Sequence, residues 1–254
     1  MRMRKKKNAA KRLDACADIF IADPASQKGA WKKLSGGRDI YIEIGCGKGT
    51  FVFENAQRHP ELFFVAFEKV KDVIVMAMEK VHAAALSNVL FVCDDAENIT
   101  DFFEENEVNG IYLNFSDPWP KKKHAKRRLT YITFLEKYKN ILVDGGKIFF
   151  KTDNRQLFDF SLEQFALAGL EICDVTYDLH NSEYESENIH TEYENNFSAK
   201  GFTINRAVAT ANKKNNFADT DNGINKNNAA DTGHDIENNK TKSDEISDRS
   251  ENNV

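Results

Sequence analysis

The 254-residue chain has no apolar run approaching the roughly twenty residues that a membrane-crossing helix needs. Its first residues are basic but lead into no apolar signal core, so a membrane partner is excluded and a cytoplasmic location is expected. Cysteine is sparse: Cys16, Cys46, Cys93 and Cys173 stand apart, with neither disulfide-framework nor metal-ligand spacing, so no metal is expected. Proline is scarce too, and two of only four prolines flank Trp119, one of two tryptophans. There is no internal repeat. A positive excess is also missing, with 35 Lys and Arg against 40 Asp and Glu and a net charge of −5. That sum does not exclude a polyanionic partner, since local distribution decides. The basic residues gather at 2–7, at Lys11-Arg12 and at 121–128.

What is present centres on Asn114-Phe115-Ser116-Asp117-Pro118-Trp119-Pro120, followed by Lys121-Lys122-Lys123-His124-Ala125-Lys126-Arg127-Arg128. The prolines stiffen the segment and push the residues before them out of helical conformations. Trp119 offers a π-face, Asp117 an acceptor for ring N–H donors, and the basic run a phosphate-binding surface. Read alone, that run is equally a solvated charged face.

Upstream, Ile40-Tyr41-Ile42-Glu43-Ile44 reads as a buried strand, Gly45-Cys46-Gly47-Lys48-Gly49 as a tight turn and Thr50 as a helix start, together a nucleotide-type pocket. Cys46 in that turn is the cysteine to watch for sensitivity to thiol reagents. The next two strands also end in acid. Glu68 closes 62–67 where a ribose diol would lie, and Asp95 follows 89–93, placed to accept from an adenine amino group. A dinucleotide dehydrogenase shares the glycines and the first acid. Its third glycine lies further along, however, and Glu43 would repel a pyrophosphate while attracting the cationic amino group of a methionine moiety. Charge therefore favours S-adenosyl-L-methionine.

Several of these segments together resemble the bacterial tRNA (guanine-N7)-methyltransferases, from Tyr41 to about Arg206. The resemblance rests on the glycine turn, the Asn114 to Lys122 stretch, Arg127-Arg128-Leu129, Phe150-Lys151-Thr152-Asp153-Asn154 and Thr191-Glu192-Tyr193-Glu194. It implies transfer of the S-adenosyl-L-methionine methyl group to N7 of a tRNA guanine, the variable-loop guanine 46, giving 7-methylguanosine. It also implies cofactor contacts at Glu43, Glu68, Asp95 and Asp117, beside the turn glycines Gly45 and Gly47. Substrate contacts are implied at Lys121, Asp153, Thr191, Glu192, Tyr193 and Glu194, with Lys123, His124, Lys126, Arg127 and Arg128 touching RNA. The chain departs from the family at its ends, where a Pro-Trp pair expected after the first basic cluster is absent.

Guanine N7 has an exposed lone pair and no proton, so the transfer needs alignment rather than a base, and Asp117 is expected to orient the guanine and stabilise its developing charge. Asp153 reads equally as a substrate contact and as the N-cap of a helix beginning near Arg155. Without the resemblance, Thr191-Glu192-Tyr193-Glu194 reads as an exposed polar turn. A noncatalytic RNA-binding module would use the basic clusters and Trp119 but leave the pocket acids without a ligand. An enzyme acting on adenine N6 or a protein amide also fits the fold, though such enzymes carry Asp-Pro-Pro or Asn-Pro-Pro before an aromatic residue.

The expected fold is α/β: one Rossmann-like class I methyltransferase domain with a mostly parallel sheet, helices on both faces and a C-terminal antiparallel hairpin. Strands are expected near 40–44, 62–67, 89–93, 110–115 and 147–151, and helices near 50–57, 72–86, 97–105, 131–142 and 155–168. Segments 171–177 and 203–209 form the hairpin, and Asp144-Gly145-Gly146 a turn. A basic arm and lead-in helix occupy 1–35, the methyltransferase domain 36–212, and 213–254 an Asn-, Asp- and Lys-rich tail too poor in apolar residues to order. The sequence selects neither a monomer nor a homodimer.

Overall fold

The computed structural model describes residues 9–213. The basic residues 2–7 and the expected tail from 214 onward lie outside them. The helix α1 (Ala9–Asp14) leads through the short edge strand β1 (Phe20–Ile21) and one turn of helix, α2 (Trp31–Leu34), into the repeating unit. That unit runs β2 (Asp39–Ile44), α3 (Thr50–Arg58), β3 (Leu62–Phe67), α4 (Lys71–Ala83), β4 (Val89–Val92), α5 (Ile99–Phe102), β5 (Val108–Asn114), α6 (Ile132–Ile141), β6 (Leu142–Thr152) and α7 (Arg155–Leu167). β7 (Glu171–Thr176), α8 (Glu192–Ser198) and β8 (Asn205–Ala211) complete the described chain.

The eight strands lie in the order β1-β4-β3-β2-β5-β6-β8-β7, parallel up to β6 and antiparallel at β6–β8 and β8–β7. The chain therefore winds outward from β2 in both directions, and the switch point lies between β2 and β5, where open α/β sheets bind ligands at their carboxyl ends. β2 and β3 read as nearly unbroken apolar runs because both faces are covered. One face packs α1, α3 and α4 around Leu13, Val52, Phe64, Met78 and Phe91; the other packs Trp31, Ile99, Phe134, Tyr138, Phe158 and Phe165. Trp31, fully buried, donates its indole N–H to the Phe102 carbonyl at 2.7 Å and stacks on Phe103 at 4.9 Å, fastening the lead-in segment beneath the sheet.

Two expectations need correction. The helix expected over 97–105 is only a 3-10 turn at Ala96–Asn98, which Asp95 caps by accepting from the Glu97 N–H at 3.1 Å, and one α-turn at α5, which ends where Phe103 turns extended at φ −122° and ψ 143°. β6 starts at Leu142 rather than 147. Its pairing with β5 jumps from Val108↔Leu142 to Gly110↔Lys147, so Asp144-Gly145-Gly146 forms a bulge within the strand, with Gly145 at φ 76°. The hairpin is antiparallel as expected, with β8 lying between β6 and β7. β1 and α8 fall outside the expected elements.

Candidate active site

The carboxyl ends of β2, β3, β4 and β5 border a cavity of about 320 Å³, lined by Gly45, Glu68, Asp94, Asp95, Asp117 and Trp119. A second, of about 240 Å³, is lined by Glu43, Gly47, Lys48, Thr191, Glu192 and Tyr193. Both include Gly45, Asn114 and Phe115, so they form two lobes of one cleft across the switch point.

Its floor is the glycine turn. Gly45, Gly47 and Gly49 all have positive φ, which L side chains adopt only with strain. Gly45 and Gly47 would point a Cβ into open space, whereas a Cβ on Gly49 would lie 2.5 Å from that of Ala77. Gly49 thus serves the packing of α3 on α4, and the other two leave room for a ligand. Glu68 fixes the turn by accepting from the Gly47 N–H at 3.2 Å and the Val70 N–H at 2.9 Å, each oxygen retaining a further lone pair.

Glu43 is 3% exposed. Its Oε1 accepts from Asn114 Nδ2 at 3.3 Å and its Oε2 has no partner. Burial pushes the carboxyl pKa up to about 7, against the Asn114 hydrogen bond, the Lys151 charge and a backbone hydrogen bond from Val52. An unpaired buried carboxylate oxygen attracts a cationic donor. Cys46 is also buried, and that burial, with Glu43 and Glu68 nearby, lifts its thiol pKa well above the ordinary value. The expected sensitivity to thiol reagents is therefore not supported, because the reactive form is a thiolate.

The loop after β5 stores strain. Phe115 and Trp119, both bulky, sit at φ 51° and 40°, a region costly for such residues and concentrated at functional sites. Arg128 holds Trp119 there, donating to the Pro118 carbonyl at 3.0 Å and the Trp119 carbonyl at 3.1 Å while its guanidinium covers Phe160 at 4.2 Å, and Phe115 donates its N–H to the Lys151 carbonyl at 2.9 Å. Arg127 lies 4.9 Å over the Trp119 ring, and His124 meets that ring edge-on at 5.8 Å. Lys121, Lys123 and Lys126 are exposed along the 3-10 helix Lys122–Arg127 and its N-cap. Arg12, in the other basic cluster, is forked onto Glu79.

A family model described as "Putative methyltransferase" matches residues 37–207. The tRNA (guanine-N(7)-)-methyltransferase of Lachnoclostridium phytofermentans is 49% identical over 198 residues, 78% of this chain and 92% of that protein. That of Bacillus cytotoxicus is 46% identical over 210 residues, 82% and 96% of the two chains. The chain belongs to the tRNA (guanine-N7)-methyltransferase family. Its fold is shared with an antibiotic related methyltransferase (TM-score 0.54, 18% identity, 72% of this chain and 92% of that one). The 16S rRNA methyltransferase KamB is similarly related in fold (TM-score 0.53, 15% identity, 72% and 92%).

In this family member Thr191-Glu192-Tyr193-Glu194 is not the exposed turn its polarity suggests. Thr191 and Glu194 form a capping box that starts α8, and Glu194 is fully buried. Its carboxylate accepts from Lys151 Nζ at 2.6 Å, Asn188 Nδ2 at 2.8 Å and the Thr191 N–H at 3.3 Å, and pairs with His180 Nε2 at 2.9 Å. Burial would raise its pKa, but Lys151 and the other donors hold it below the usual carboxylate range. Glu194 therefore lies under the cleft, while Thr191, Glu192 and Tyr193 line it. Lys48 from the glycine turn closes on Glu192 at 2.6 Å, and Tyr193 packs on Phe115 at 5.0 Å, so α8 is tied to both walls.

Asp153 does not cap α7. Asn154 does, accepting from the Leu157 N–H at 2.8 Å, which leaves Asp153 facing the Tyr193 hydroxyl. Burial raises the Asp153 carboxyl pKa, against its hydrogen bonds to backbone and Tyr193. Among the described residues His180, His190 and Glu194 come nearest to a metal-ligand set. The two imidazoles stack at 4.8 Å and 4°, however, so their in-plane lone pairs run side by side, and His190 is hydrogen-bonded to Glu185 at 2.7 Å and Asn195 at 2.9 Å. They brace α8 rather than converge on an ion.

Sequence reasoning missed Lys48, Asn114 and Lys151 as site residues. A lone lysine ending the apolar run Ile148-Phe149-Phe150 was the available signal for Lys151, which is 5% exposed.

Proposed function

We propose that the protein transfers the methyl group of S-adenosyl-L-methionine to N7 of a guanine in tRNA, the variable-loop guanine 46 on family grounds, forming 7-methylguanosine. The observation that carries this reading is the unpaired Glu43 Oε2, buried beside two glycines whose Cβ positions are open, in a chain 49% identical to a tRNA (guanine-N7)-methyltransferase. These residues fit the cofactor. Glu43 would hold the amino group, Gly45 and Gly47 admit the chain, Glu68 accept from the ribose and Asp95 from the adenine. Bound there, S-adenosyl-L-methionine supplies an electrophilic methyl on a cationic sulfur.

The protein's part is positioning. N7 needs no deprotonation, and proximity and orientation can supply about 7–11 kcal/mol of a barrier. Asp117, on the loop that Arg128 clamps, orients the guanine and stabilises the positive charge growing on its imidazole ring. Thr191, Glu192 and Tyr193 form the wall of the second lobe, with Asp153 behind Tyr193 and hydrogen-bonded to it, and Glu194 acts from beneath by fixing α8. Lys121, Lys123, His124, Lys126 and Arg127 contact the RNA backbone. Arg128 acts chiefly by holding the loop.

Incubating the protein with unmodified tRNA transcripts and methyl-labelled S-adenosyl-L-methionine tests this. Label at a variable-loop guanine, with cleavage by aniline after mild reduction, is expected. Label at another base would retain the donor and overturn the acceptor. Asp117→Asn should lower kcat, and full turnover in that variant would remove its electrostatic role.

A further inference from the structure

The two lobes of the cleft divide the methyl donor between them. Glu68 and Asp95, read above as acceptors for ribose and adenine, line the first lobe, and Glu43, read as the seat of the amino group, lines the second. The methionine end of the donor is a zwitterion, however. An ammonium held by Glu43 leaves an α-carboxylate, carried on the same carbon atom, with no assigned partner. Among the described residues lining the second lobe Lys48 is the one cation, while Lys69 and Arg127 border the first.

Lys48 already has a partner in the free protein. Its Nζ meets Glu192 Oε2 at 2.6 Å and joins the glycine turn to the first residue of α8. The two side chains are 48% and 52% exposed, a setting in which an ion pair contributes about 0–1 kcal/mol. The two carboxylates that compete for Lys48 differ in what each loses without it. Glu192, half exposed, returns to water. A carboxylate carried in between the lobe's walls gives up its water on entry and is costly unless a cation meets it. With Lys48 turned away it would face the acids Glu43 and Glu192 alone, and like charges in one site repel.

We infer that Lys48 takes the α-carboxylate of the methyl donor and gives up Glu192 to do so, making it a positioning residue for the donor's methionine end. α8 stays fixed from beneath by the buried pair of Glu194 and Lys151, so the exchange releases the Glu192 side chain and not the helix. Loading the donor thereby frees a carboxylate beside Thr191 and Tyr193, in the wall read above as meeting the substrate. The inference rests on the donor reading of the cleft.

Calorimetric titration with S-adenosyl-L-methionine and with its decarboxylated analogue, which keeps the amine and the sulfonium, tests it without RNA. Wild type should prefer the carboxylated donor, and Lys48→Met should cut that preference about three- to tenfold by weakening the carboxylated donor alone. Glu192→Gln, which removes the competitor and keeps its shape, should raise the preference about two- to fivefold. The ratio of two ligands on one protein cancels any general effect of a substitution, so the comparison isolates the contact between Lys48 and the carboxylate. Equal weakening of both ligands in Lys48→Met would make Lys48 a structural tie and overturn the inference. A preference unchanged in Glu192→Gln would mean that the pair persists in the loaded protein and would overturn the exchange. If wild type bound neither ligand, the donor reading itself would fail. If it bound the donor with a preference untouched by Lys48→Met, only this inference would.

Discussion

Replacing Glu43 by glutamine should stabilise the free protein and weaken its hold on the methyl donor. The carboxyl is 3% exposed with one oxygen unpaired, and burial lifts its folded-state pKa from 4.5 to about 7. A group raised in the folded state contributes stability that is complete below 4.5 and lost as pH rises through 7. At 1.36 kcal/mol per pKa unit, the loss reaches about 3 kcal/mol in alkaline solution. Glutamine cannot ionise, so its own cost is independent of pH. The stability of Glu43→Gln relative to wild type should therefore rise by about 2 kcal/mol between pH 5.5 and 8.5, or roughly 4–8 °C in the Tm difference for a domain of this size. Paired thermal or urea unfolding across that range reads it directly. Calorimetric titration with S-adenosyl-L-methionine should show weaker binding in the variant, and in wild type a loss of affinity as pH falls below about 7, with proton release on binding. A stability difference that is flat with pH, or that falls as pH rises, would refute the claim that Glu43 is a buried acid only partly compensated by its neighbours and awaiting a cation.

Gly49→Ala should cost roughly 2–5 kcal/mol in urea unfolding, because its Cβ would meet Ala77 at 2.5 Å and φ is 73°; Gly45→Ala, with open space around its Cβ, should cost roughly 1–2 kcal/mol and show instead in donor affinity. Lys151→Met leaves Glu194 buried without its cation and should cost about 3–5 kcal/mol, much of it recovered when Glu194→Leu is added. A Lys151→Met variant within about 1 kcal/mol of wild type would show that the pair is not what fixes α8. Replacing Lys121, Lys123 and Lys126 together by alanine should lower tRNA affinity and flatten the dependence of log K on log salt by about 0.7–0.9 for each phosphate no longer neutralised, leaving donor binding unchanged in parallel titrations.

Strands β2, β3 and β4 were legible because each is a short apolar run ended by glycine or acid, a pattern that the sheet's covered faces require, whereas the two-residue β1 is too short to carry one. The positions of Glu43, Glu68 and Asp95 followed from the same punctuation. The C-terminal part was harder to read. Glu194 lies in a run of polar residues, and only the arrival of Lys151 from β6, 43 residues earlier, makes it a buried residue. Asp153 and Asn154 are adjacent candidate caps, and side-chain geometry rather than composition chose Asn154. Arg128 resembled its basic neighbours, yet it faces the loop carbonyls and Phe160. The strain at Phe115 and Trp119 had no local signature, since neither is glycine.

The most direct test of methyl transfer to guanine N7 uses a tRNA transcript in which 7-deazaguanosine replaces guanosine at the acceptor position. The ring shape and Watson–Crick edge are kept while the nucleophilic nitrogen is removed. The transcript should bind the protein with near-normal affinity and take up no label from methyl-labelled S-adenosyl-L-methionine, whereas the unsubstituted transcript becomes labelled. Equal labelling of the two would contradict the account.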